Sequence, residues 1–130
     1  MESFCMWQRL LLVALAGALG TLARYGLSGF VQRMAGGPFP YGTLVVNVIG
    51  CFLFGVIWTL ADERLVISQD SRIVMLGGFM GAFTTFSTFI FDTGHFARQS
   101  EWMLATGNIV VQIVVGMAFL FLGITAARVL

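Results

Sequence analysis

The chain has 130 residues, 58% of them hydrophobic and only 10% charged, and its mean hydropathy is +0.93. Soluble domains carry about a quarter charged residues, so this composition is that of a membrane protein. A net charge of +1 without any basic run excludes the electrostatic footprint of a nucleic-acid partner.

A span needs about 20 apolar residues to cross the hydrocarbon core. Four candidates follow in chain order, at roughly 8–31, 41–61, 73–91 and 102–127, and together they make residues 1–130 a single four-span membrane domain. Arg9 precedes the first apolar run as it would in a signal peptide. Gly17, Gly20 and Arg24 then lead into more apolar sequence rather than a cleavage site, which reads as a retained span. The connections "QRMAGGPFP", "DERLVISQDSR" and "DTGHFARQSE" are short and leave no room for a soluble domain.

Span one contains "GALGTLARYG", a small-residue face followed by Arg24. Two uses fit that arginine: snorkelling to the interface, or raising anion concentration in a vestibule. In span two, "GTLVVNVIGCFLFG" places Thr43 one turn before Asn47 on a shared face. Asn47 is either a hydrogen-bonding link between helices or a polar group lining a path. Cys51 in the same span and Cys5 near the N-terminus have no metal-ligand spacing, and both read as incidental small residues.

Span three contains "GGFMGAFTTFSTFIF". Gly77, Gly78 and Gly81 lower helix propensity, and the hydroxyls of Thr84, Thr85, Ser87 and Thr88 compete for main-chain partners, so the helix is expected to break here. Broken backbone at membrane depth survives only where it is buried or lines a cavity. Phe83, Phe86 and Phe89 recur at every third position. Periodicity alone favours packing, but ring edges beside O–H and N–H donors also make a weakly attractive anion lining. His95 falls in the following connection and reads as an ordinary loop histidine, and no catalytic metal site is expected. Span four carries Asn108 and Gln112 on one face with Gly116 a turn later, again either interhelical links or a polar path.

Four spans put both termini on one side. Arg9, Arg64, Arg72 and Arg128 fall on that face and Arg33 and Arg98 on the other, with Arg24 too deep to assign. So weak a bias is compatible with insertion either way round and with head-to-tail pairing of two copies. No Asp or Glu lies at the centre of a span, and a proton-coupled exporter of cationic drugs needs one.

The three motifs "GALGTLARYG", "GTLVVNVIGCFLFG" and "GGFMGAFTTFSTF", taken together, resemble the signatures of the Fluc (CrcB) fluoride channels, and the likeness covers all four spans. It implies an all-α membrane protein of four transmembrane helices, the third broken near its middle, paired as an antiparallel dual-topology homodimer in the bacterial inner membrane. It also implies passive export of cytoplasmic fluoride through two pores, no enzymatic reaction, and a structural sodium ion at the dimer centre. By the same match Phe86 and Phe89 face the pore and Asn47 supplies an amide donor. Ser87, Thr88, Thr43 and Arg24 fall on the family's polar positions. Backbone carbonyls of Gly81 and Thr84 would hold the sodium. Family members often carry serine or tyrosine on span four where this chain has Asn108 and Gln112, so the donors differ there while the one-turn spacing persists. The competing expectation is a small multidrug exporter, which would require a carboxylate in span one that this sequence lacks.

Overall fold

The computed structural model describes residues 4–130, and these are helical with no strands among them. Helix α1 runs Met6–Ala35 and α2 runs Tyr41–Asp62. A short α3, Gln69–Arg72, leads into a π-helical segment, Ile73–Met80, and the three-residue α4, Gly81–Phe83. Helix α5 spans Phe86–Arg98 and α6 spans Trp102–Val129. Four helical stretches, Met6–Ala35, Tyr41–Asp62, Gln69–Arg98 and Trp102–Val129, are long and apolar enough to cross a membrane.

The boundaries have local causes. Gly36 and Gly37 take φ of 66° and 74°, a region closed to most side chains, and Pro38 and Pro40 follow, so α1 stops and α2 starts just after a proline. Gln32 staples that turn: its Nε2 donates to Phe39 O at 3.0 Å, and its Oε1 accepts from Gly42 N at 3.1 Å. Ser68 caps α3 by accepting from Ser71 N at 3.2 Å.

Two expectations about span three change. The "DTGHFARQSE" stretch does not begin as a connection, because α5 continues through Asp92 and His95 to Arg98. Thr93 Oγ1 bonds back to Phe89 O at 2.8 Å and Phe96 is buried, so tertiary packing carries the helix past its polar residues. His95 is therefore helical and stacks on Phe91, with ring centroids 6.4 Å apart. The glycines, for their part, do not unwind the chain. Gly77 and Gly78 lie in the π-helical segment and Gly81 opens α4, whereas the extended residues are Thr84 (φ −87°, ψ 159°) and Thr85 (φ −147°, ψ 111°).

Of the three, Gly78 serves close packing instead, whereas a Cβ on Gly77 would meet nothing within 4 Å. A Cβ on Gly78 would come within 2.9 Å of the Ala16 Cβ of α1, and one on Gly20 would strike the Phe79 carbonyl. Helices α2 and α6 form the most extensive contact, and it uses the same device reciprocally. A Cβ on Gly55 would meet Leu120 O, and one on Gly123 would meet Phe52 O. The small core gathers Val46, Ile57, Met80 and Phe83 where α2 meets the π-helical segment and α4.

The four arginines expected on the terminal face are all engaged at that end of the bundle. Arg9 pairs with Asp70, Arg72 with Asp62 at 3.1 Å, and Arg128 with Glu63 at 2.7 Å. Arg64 Nη1 donates to the carbonyls of Ala127 and Arg128 at 3.2 and 3.3 Å.

Candidate functional site

The site is built where the helical path is interrupted at Thr84 and Thr85. Asn47, about two turns into α2, clamps this point. Its Oδ1 accepts from Thr85 N at 2.8 Å while its Nδ2 donates to Thr85 O at 3.2 Å, so the carboxamide pairs with one residue's main chain as a neighbouring strand would. Arg24 of α1 holds the other side, its Nε donating to Ala82 O at 2.9 Å near the end of α4. Of the two uses open to Arg24, this contact is neither: the guanidinium caps a helix terminus.

Thr85 then starts α5. Its Oγ1 accepts from Thr88 N at 3.3 Å as an N-cap and donates to Thr88 Oγ1 at 2.9 Å. An unbroken helix would turn the amides of Thr85 and Thr88 onto the carbonyls of Gly81 and Thr84. Here those amides bond to Asn47 Oδ1 and Thr85 Oγ1, which leaves two main-chain oxygens of the kind hard cations bind.

Asn47, Thr84, Thr85, Phe86, Phe89 and Gln112 line a cavity of about 440 Å³, together with apolar residues of α2 and α6. Phe86 and Phe89 sit with ring centroids 5.8 Å apart and planes at 59°. Phe89 is buried and Phe86 is 74% exposed, so one ring belongs to the core while the other stands out from the chain's surface. Asn47 Nδ2 also donates to Gln112 Oε1 at 3.1 Å, linking α2 to α6.

The remaining residues singled out from sequence lie elsewhere. Thr43 and Thr88 line a second cavity of about 340 Å³ with Ser28, Gln32 and Asp92. Asn108 is fully buried, with Nδ2 donating to Thr93 Oγ1 at 2.9 Å. Ser87 is exposed, 3.4 Å from Thr85 Oγ1. Sequence reasoning named Thr85 only among the helix-breaking hydroxyls and passed over Asp92. The cap was legible, since a threonine just ahead of an apolar-periodic run is an N-cap signal. Asp92 was hidden by being read as loop. In the structure it lies inside α5 and accepts from Thr43 Oγ1 at 3.2 Å.

A family model described as "CrcB-like protein, Camphor Resistance (CrcB)" matches residues 11–124, all but the ends of the chain. The chain belongs to the CrcB-like family. A "Fluoride-specific ion channel FluC" of Nitrosococcus oceani is 55% identical to this CrcB-like chain over 96% of its length and 100% of the relative's. Proteins of the same description from Desulforapulum autotrophicum and Solidesulfovibrio magneticus are 50% and 49% identical, each over 95% of this chain and 98% of the relative. The likeness thus spans every helix of the CrcB-like fold, and with four membrane-length apolar helices the chain is a multi-pass membrane protein.

Proposed function

We propose that this chain is a fluoride channel, a passive conductor rather than an enzyme, selective for fluoride and exporting it from the cytoplasm across the bacterial inner membrane. What supports the reading is the cavity lined by Asn47, Gln112, Thr84, Thr85, Phe86 and Phe89, in a chain 55% identical along its length to a protein described as a fluoride-specific channel. Donors there are neutral and few. They replace part of an anion's hydration without holding it as a charged lysine would, and conduction needs that weakness.

The working unit is an antiparallel dual-topology homodimer with two pores. A ring as exposed as Phe86 and the outward leucines of α1 suit a surface covered by lipid or a second copy. Four arginines at the terminal end against Arg33 and Arg98 at the other make only a weak bias to dictate orientation. The carbonyls of Gly81 and Thr84, deprived of their helical donors, fit a structural sodium ion shared between copies. When bound, such an ion would supply positive charge that holds four carbonyl dipoles together.

Efflux from proteoliposomes loaded with fluoride or chloride tests the reading. Fluoride but not chloride should leave, and Phe86→Ile should slow fluoride while the protein still elutes as a dimer. Equal flux of both ions, or none, would sink the channel; unaltered flux in Phe86→Ile would sink the ring's role. Reconstitution without sodium should abolish flux, and undiminished activity would count against the cation.

A further inference from the structure

The hydrogen bond from Asn47 Nδ2 to Gln112 Oε1, 3.1 Å long, makes one rung between α2 and α6. One helical turn further along each helix, the next rung is Cys51 opposite Gly116. A Cβ on Gly116 would lie 3.5 Å from Cys51 Sγ, so the sulfur points across the seam at a position that has no side chain. Cys51 is half-buried and lines the cavity of about 440 Å³ together with Asn47, Phe86 and Phe89.

A thiol in an apolar seam is by itself only a small hydrophobe. The surroundings of Cys51 set it apart. Gln112, which lines the same cavity, is 9% exposed, and its Nε2 is buried with no hydrogen-bond partner among the described residues. A buried N–H in that state calls for a water or a small solute. The wall that carries the sulfur therefore faces a space that admits small molecules, rather than packed side chains. Among the described residues lining it none is charged, and Cys51 offers the one soft ligand. Such a wall selects a soft, thiol-seeking electrophile that arrives uncharged.

We propose that Cys51 is a modification site in the wall of the conducting cavity, taking a neutral soft electrophile such as mercuric chloride, and that its occupation stops ion passage. The sulfur–mercury bond forms as the thiol gives up its proton and one chloride leaves the metal, so hydrogen chloride is released and nothing is oxidised or reduced. The bound mercury, with its remaining chloride, then occupies the cavity one turn from Asn47. Modification needs only the cavity; the block rests on the fluoride-channel reading.

Cys5, exposed at the start of α1, is the other thiol, so the test compares Cys5→Ser with Cys5→Ser/Cys51→Ser. Each protein is reconstituted in proteoliposomes and treated with mercuric chloride. Fluoride efflux is then compared with that protein's own untreated efflux, and mass spectrometry of the intact chain and its peptides reads the adduct. Cys5→Ser should gain a single mercury on the peptide that holds Cys51, its efflux should fall to that of protein-free vesicles, and excess dithiothreitol should reverse both. Cys5→Ser/Cys51→Ser should gain no mercury and keep its own efflux. Should that variant elute as an aggregate, parallel recovery of free thiol and efflux in Cys5→Ser decides the matter. Unmodified Cys51 would overturn the site whether or not the protein conducts. A modified Cys51 with undiminished efflux, or equal inhibition of the two proteins, would overturn the block. No efflux from untreated protein would defeat the channel reading, and the adduct would still decide the site.

Discussion

The Asn47 carboxamide and the Thr85 main chain exchange two hydrogen bonds, of 2.8 and 3.2 Å, across 38 positions of sequence. The pair supplies at the interruption what the helix ladder supplies elsewhere. Asn47→Ala should orphan both Thr85 groups, and at roughly 1–3 kcal/mol per buried unsatisfied group it should lower thermal stability in detergent markedly. Asn47→Asp keeps an acceptor for Thr85 N and should be the milder of the two. Equal losses would mean that the side chain acts through packing alone.

Much of this architecture was legible, because span detection depends on composition and length, which are local. The site was legible in part. Asn47, Phe86, Phe89 and Gln112 stood out as polar or aromatic residues in apolar runs, and they do meet in one cavity. What escaped notice is what needs partners far along the chain. Arg24 reaches a carbonyl 58 residues away, and Thr43 reaches Asp92 across 49. The glycines misled because propensity treats them as helix breakers, whereas a neighbouring helix can need the missing Cβ.

Gly50 shows that need at the site itself. A Cβ there would collide with the Thr84 methyl group, while the next nearest atoms lie at 3.6 Å. Gly50→Ala should therefore displace Thr84 and destabilise the protein by about 1–3 kcal/mol, the usual cost of overpacking. Thr84→Ser removes the methyl but keeps the hydroxyl that bonds Met80 O at 3.0 Å. Combined with Gly50→Ala it should recover most of the loss in a double-mutant cycle read by thermal denaturation. Additive effects would refute the collision.

Glu63 receives two hydrogen bonds from Arg128, at 2.7 and 2.8 Å, and these hold its carboxyl below the usual value. A depressed carboxylate contributes stability that is present above its unfolded pKa and is lost as pH falls through its folded one. The pair is exposed, so the contribution is small and screened by salt. Wild type should melt slightly above Arg128→Gln at neutral pH, and the gap should close on acidification below about pH 4. A gap that is flat with pH would mean that the ion pair contributes nothing.

Arg24 has two roles to separate, the cap on Ala82 O seen in the structure and the vestibule charge that the sequence left open. Its Nε donates to Ala82 O at 2.9 Å, which needs a donor but no charge, whereas concentrating anions needs charge but no particular hydrogen bond. Arg24→Met removes both and should cost about 1.5–3 kcal/mol, the range for hydrogen bonds to charged groups. Arg24→Gln keeps a donor alone and should recover much of that stability. Fluoride flux per folded protein then isolates the charge: near wild-type flux in Arg24→Gln makes the cap the whole role, while a loss of flux at recovered stability assigns the charge to the ion's approach.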